Sequence, residues 1–176
     1  MSDTFIAVIA IGLAAILMFV FPVMTMADRV NEVSQTDVET LTSEFTNEIK
    51  TIGKLTDENY NKFRSNITAT GNTYNIELEF KILDENPGKK TIQTAKDKIG
   101  ENVYYSVFTT QIEEELESKG IYNLKEGDII FVTVRNTNLT LAQQMKDFFY
   151  KVSGSDIYTI QASQSGLVTS TGTAIQ

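Results

Sequence analysis

Carboxylates are the chemical groups this chain offers in the densest arrangement. Glu113, Glu114, Glu115 and Glu117 stand almost side by side, and Asp84-Glu85-Asn86-Pro87-Gly88 gathers oxygen donors into a turn. Two acids do acid–base work when their surroundings drive their pKa values apart, and an oxygen-rich turn can hold calcium. Neither pattern has the spacing its chemistry needs. Neighbouring glutamates on a helix point to different faces and are read as solvated surface, and the turn lacks the alternating ligands and distal glutamate of a calcium loop. Gly88-Lys89-Lys90-Thr91 is like the end of a phosphate-binding loop, but the glycine required five positions earlier is Leu83. The aromatic pairs Tyr104-Tyr105 and Phe148-Phe149 are read as core rather than as a binding patch.

The chain contains neither histidine nor cysteine. Ser-His and Cys-His catalysis, imidazole proton transfer, thiolate metal sites and disulfides are therefore excluded. The expectation is a non-enzymatic protein with no catalytic, cofactor or metal residues. With 15 basic against 23 acidic residues, the net charge of -8 repels a phosphate backbone, so nucleic acid is not expected as a partner.

The elements that would position any functional side chain begin with an apolar run. From Phe5 to Met24 every residue is apolar or glycine apart from Pro22. At 1.5 Å per residue, about 20 helical residues match a hydrocarbon core of about 30 Å, so the run is expected to span a bilayer once. A cleaved signal peptide is the rival reading, with Thr25-Met26-Ala27 as its cleavage site, but Met1-Ser2-Asp3-Thr4 carries no basic residue. Residues 1–27 are therefore read as an anchor, with membrane lipid as partner. Basic residues do not fix the orientation, since Arg29 is followed by none until Lys50. The short N-terminal tail and the Cys-free, acidic composition favour a cell-membrane protein whose soluble part is extracytoplasmic.

Residues 28–170 suit one soluble domain. Val30, Val33, Val38, Leu41, Phe45, Ile49 and Ile52 recur at helical spacing, and Gly53 supplies a stop, which predicts one nearly continuous helix from about Thr4 to Ile52. Thr56 is expected to cap a second helix with Tyr60, Phe63 and Ile67 on one side. Alternation from Thr73 to Leu83 predicts a strand facing the core with Tyr74, Ile76, Leu78, Phe80 and Ile82. Residues 84–100 read as a loop. A helix is expected from about Glu101 to Lys119, although Val103 to Thr110 is rich in strand formers. Asp128 to Arg135 reads as a central strand, Leu139 to Val152 as an amphipathic helix capped by Thr137 or Asn138, and Asp156 to Ser170 as a strand around Tyr158, Ile160 and Ala162 that continues past Gly166 through Leu167 and Val168 as a kinked or second strand. Residues 171–176 read as a flexible tail.

Together these predict an α+β fold: a long transmembrane-plus-amphipathic helix packed on a small, mainly antiparallel sheet with two or three further helices. That layout resembles pilins and pseudopilins. Phe21-Pro22-Val23-Met24, followed by a Thr/Gln/Glu-rich helix, is similar to TadE-like pseudopilins of Tad-type pilus systems. Gly53-Lys54-Leu55-Thr56, the stretch Lys98 to Tyr105, Lys125-Glu126-Gly127-Asp128 and Asn136-Thr137-Asn138 resemble uncharacterised single-pass proteins associated with such pilus or secretion gene clusters. The resemblance implies a pilin-like component of a surface pilus or secretion apparatus. Its assembly helix would use Phe5, Ile9, Gly12, Ala15, Phe19 and Pro22 against copies of itself or other subunits. The chain departs from the pilin pattern in its first residues, for no glycine cleavage site precedes the apolar run and no glutamate occurs before Glu32. A membrane-anchored ligand-binding or sensory domain is the alternative.

Overall fold

In the computed structural model, residues 2–84, 104–140, 144 and 159–172 are described. The loop read at 84–100, apart from Asp84, falls outside them, as do residues 101–103, almost all of the helix read at Leu139 to Val152, and residues 173–176.

The expected α+β architecture is observed. The first helix, α1, runs unbroken from Ser2 to Ile52 and passes through Pro22 without interruption. It ends where Gly53 enters the left-handed region at φ +73° and its N–H donates to the Ile49 carbonyl at 2.8 Å. A three-residue strand, β1 (Lys54–Thr56), leads into α2 (Asp57–Thr68). The Thr56 side chain accepts from the Asn59 N–H at 3.2 Å, the cap expected from the sequence, and α2 buries Tyr60, Phe63 and Ile67. Then follow β2 (Tyr74–Leu83), β3 (Tyr104–Phe108), α3 (Thr109–Lys119), β4 (Ile121–Asn123), β5 (Ile129–Asn136) and β6 (Gln161–Leu167).

The main sheet is antiparallel throughout, in the order β3-β2-β5-β6, with Phe80 opposite Ile130 and Val132 opposite Gln164. The apolar strand β5 is internal, as its composition demands. Gly166 lies within β6 and pairs with Ile130, so the chain crosses it in one strand rather than two. A second, two-stranded sheet pairs β1 with β4, Leu55 opposite Tyr122, and fastens the end of α1 to the end of α3. Neither of its short strands was legible in the sequence, since three residues carry no period.

One core lies between the sheet and the helices. Leu78, Phe80, Ile130, Val132, Val134 and Ala162 meet Val38, Phe45 and Ile49 of α1, together with Phe63 and Ile67 of α2 and Ile112 and Leu116 of α3. The rings of Phe45 and Phe63 stack at 3.9 Å with 3° between their planes, joining α1 to α2.

Tyr104 and Tyr105, read as core, are exposed. Two further expectations are corrected. Residues Tyr104 to Phe108 are a strand, not the first turns of a helix, and they pair with Glu79 to Leu83. Their β-branched and aromatic side chains suit a pleated surface, and β2 offers an edge to pair with. The Thr109 hydroxyl then stands in for the next ladder position, accepting from the Leu78 N–H at 2.7 Å and donating to the Leu78 carbonyl at 3.2 Å, as the chain turns into α3. The second correction concerns the buried face of α1. Val30, Val33 and Ile52 are exposed, whereas Asn31, Ser34, Thr42 and Thr46 are buried beside Val38, Phe45 and Ile49. The buried threonines are self-sufficient, for Thr42 donates to the Val38 carbonyl at 2.6 Å and Thr46 to the Thr42 carbonyl at 2.8 Å. Small hydroxyl side chains there suit a helix lying close over β6, whose inward face carries the small residues Ala162 and Gly166.

Candidate membrane and assembly helix

Helix α1 divides into two parts by what its side chains touch. From Ala27 onward one face recurs every three or four residues against the folded part: Ala27, Asn31, Ser34, Val38, Thr42, Phe45 and Ile49. Asn31 donates to the Thr140 hydroxyl at 3.0 Å. The Gln35 amide makes a pair of bonds to Gln161, donating to its carbonyl at 2.7 Å and accepting from its N–H at 3.0 Å. Fifteen residues further on, the Lys50 carbonyl accepts from the Thr169 N–H at 2.9 Å and from its hydroxyl at 3.2 Å. The strand β6 is thus fastened to α1 at both ends, and the two run in the same direction.

The part before Ala27 touches almost nothing. Phe5 is 68% and Phe19 71% exposed, Ile9, Ala15 and Pro22 are exposed too, and around Gly12 nothing lies within 4 Å of where a Cβ would stand. At 100° per residue these six positions fall on one side of the helix. Among the described residues this is one helix long and apolar enough to cross a membrane. Near the end of the apolar run, the Thr25 hydroxyl donates to the Phe21 carbonyl at 3.0 Å and adds a bond to the backbone beside Pro22, which has no N–H of its own to give.

Sequence reasoning missed where the apolar side ends. Met26, Val30 and Val33 continue it and are 68%, 61% and 56% exposed, although Val30 and Val33 share the helical spacing of Val38, Phe45 and Ile49, which are buried. The available signal was their offset: they lie roughly a quarter-turn from Ala27, Asn31 and Ser34. Polar residues at the latter positions disguised which face the domain takes.

Elsewhere, polar groups are tied into the structure. Tyr60 donates to Glu113 at 2.7 Å, which gives one member of the glutamate run a partner, while Lys119 bonds Glu115 at 2.8 Å on the surface of α3. Burial pushes the Tyr60 phenol well above its usual range, and the hydrogen bond and charge of Glu113 add to this against the opposing Arg64. Asp128 is buried, with one carboxylate oxygen accepting from the Leu83 N–H at 3.0 Å and the other from the Lys125 N–H at 2.8 Å. Such a carboxylate clamps a loop. It lines a groove of about 340 Å³ with Asp84, Tyr105, Tyr122 and Lys125. The larger groove, of about 420 Å³ between α1 and α2, is open to solvent and lined by Asp37, Thr40, Leu41, Glu44, Asn66, Ala69 and Thr70. Among the described residues no three carboxylates gather as a metal site. Asn138 accepts from the Thr73 N–H at 2.9 Å and donates to Asn72 at 3.1 Å, while the helix it is expected to cap lies almost wholly outside the described residues.

Comparison with protein-family models, with curated proteins and with solved structures gave no match.

Proposed function

We propose that this chain is a non-enzymatic, pilin-like component of a bacterial surface pilus or secretion apparatus, anchored once in the cell membrane with its folded part on the extracytoplasmic side. The observation that carries the reading is the division of labour along α1. One unbroken helix offers an exposed apolar half and then builds its other half into the core of a sheet domain. A helix made that way transmits the position of its membrane half rigidly to the domain, which is what a subunit of an ordered assembly requires. In lipid, helices associate through close packing rather than through the hydrophobic effect, and Gly12 and Ala15 on the Phe5 side allow two backbones to approach. The Cys-free, acidic composition suits the outer surface of a cell.

In-cell photo-cross-linking tests this. A photoreactive residue in place of Phe19 should trap a ladder of species larger than the monomer, because Phe19 is exposed and its replacement leaves the fold intact. A strictly monomeric product at every expression level would end the assembly reading.

A further inference from the structure

Three apolar side chains beyond the membrane run remain to be accounted for. Met26, Val30 and Val33 are more than half exposed; of the residues between them, Asp28, Arg29 and Glu32 are charged and Ala27 and Asn31 are buried. Resting on the assembly reading above, we infer that they form the extramembrane end of a helix–helix seam whose occupant is the same face of a second copy of this chain, the two α1 helices running parallel.

Lipid headgroups reach Met26, about 3 Å past Met24, but not the far end of this surface at Val30 and Val33. Headgroup layers add roughly 5–8 Å on each side of the hydrocarbon. Val33 stands nine positions beyond Met24, or about 13 Å along a helix. The chain's own domain does not cover the surface either, since it takes the face of Ala27, Asn31 and Ser34, roughly a quarter-turn away.

The spacing identifies the kind of occupant. Phe19, Val23, Met26, Val30 and Val33 alternate steps of four and three, the repeat that keeps one helix in register against another. Up to Met24 that spacing carries no information, because every residue is apolar there. Beyond it, apolar side chains persist at the repeat positions while the positions off it carry the charged Asp28, Arg29 and Glu32 or the small or polar Ala27, Asn31 and Ser34. The next two repeat positions are Asp37 and Thr40, both exposed, and a facing pair of Asp37 carboxylates would repel, so the seam stops at Val33.

A second copy fits this seam better than a soluble partner for a geometric reason. Every copy enters the bilayer in the same direction, so two neighbours present Met26, Val30 and Val33 at the same height and in parallel, and the seam becomes self-complementary.

The absence of cysteine makes the test clean. Single substitutions Val30→Cys, Val33→Cys and, for comparison, Glu32→Cys and Asp28→Cys are made in the full chain and oxidised in native membranes. The cross-linked species is then weighed by mass spectrometry. The expected result is a disulfide-linked homodimer at Val30→Cys and Val33→Cys in at least fivefold higher yield than at Glu32→Cys and Asp28→Cys. Equal yields at all four positions, or a cross-link to a different protein, would overturn the inference. Ile16→Cys, inside the membrane run, separates it from the assembly reading. Cross-links at Ile16→Cys with none at Val30→Cys and Val33→Cys sink the extramembrane seam and leave assembly standing; none at any of the three removes both. Unchanged thermal unfolding of each variant guards against misfolding as the cause of a negative result.

Discussion

At the scale of single residues, burial and negative charge act together on two phenols. Tyr122 is pushed up to about 12, first by burial and then by the charges of Glu115, Tyr105 and Asp128. Tyr60 moves in the same direction through burial and Glu113. Below pH 10, the ordinary phenol value, Tyr122 is protonated in both the folded and unfolded chains, so it contributes no pH dependence. Between about 10 and 12 the unfolded chain loses a proton that the folded one retains, and stability falls as pH rises through that window. Urea unfolding followed from pH 8 to 12 should therefore show a level midpoint up to about pH 10 and a declining one above it. Tyr122→Phe should flatten part of the decline while leaving the slope contributed by Tyr60. A Tyr122→Phe variant with the wild-type alkaline profile would show that this phenol is not shifted. Spacing along α2 made Tyr60 legible as a core residue; its partner Glu113 was not, because two residues 53 positions apart share nothing in sequence that marks them as neighbours.

At the scale of elements, two glycines end two helices in nearly the same backbone conformation, Gly53 at φ +73° and Gly120 at φ +72°. Their surroundings differ. A Cβ at Gly120 meets nothing within 4 Å, whereas one at Gly53 would stand 1.9 Å from the Ser170 carbonyl oxygen and 2.6 Å from the Gly172 nitrogen. Gly120→Ala should cost about 1–2 kcal/mol, from the left-handed backbone alone. Gly53→Ala adds a collision with backbone that has no side chain to swing aside, and should cost at least about 3 kcal/mol. Denaturant unfolding of the detergent-solubilised chains compares the two; equal losses would mean that residues 170–172 do not cross the end of α1. The crossing also bears on the segment read as a flexible tail, since the Gly172 N–H donates to the Leu124 carbonyl at 3.0 Å and the Thr171 hydroxyl accepts from the Glu126 N–H at 3.2 Å. The sequence announced Gly53 as a helix stop because that is a local property. Its second role depends on a contact more than a hundred residues away and has no local sign. The same limit explains the other differences. Long periodic elements, α1 and β2 above all, were legible as elements because their pattern repeats many times, and in β2 it also defined the buried face. The strand β3 was not, because Tyr104, Phe108, Ile112 and Leu116 happen to keep helical spacing across a strand-to-helix boundary. The polar half of the buried face of α1 was not, because Thr42 and Thr46 satisfy their hydroxyls within the helix and so behave as small apolar residues.

At the scale of the whole molecule, the two halves of α1 should be separable by substitution, because side chains before Ala27 touch almost nothing of the fold and those beyond it build the core. Leu13 and Ile16 lie near the middle of the apolar run and are more than half exposed. An arginine at the centre of a membrane helix costs about 2.5–3.5 kcal/mol on insertion scales, so Leu13→Arg with Ile16→Arg should remove most of the drive to insert. The doubly substituted chain is expected to leave the membrane fraction on alkaline carbonate washing, where the unsubstituted chain stays. Its folded part should unfold at the same temperature as before, since neither side chain packs on the core. Val38→Asp makes the opposite change. Val38 is fully buried, so an unpaired carboxylate there should unfold the domain while the chain remains in the carbonate-resistant pellet. Loss of folding in the arginine pair would mean that the apolar half contributes to the domain core, and α1 would then be a buried helix of a soluble protein. Retention of the arginine pair in the membrane would instead place the attachment somewhere other than Phe5 to Met24. The assembly reading survives only the outcome in which each substitution removes one property and spares the other, because a rigid link between an anchor and a domain requires both to be built on the same helix without sharing side chains.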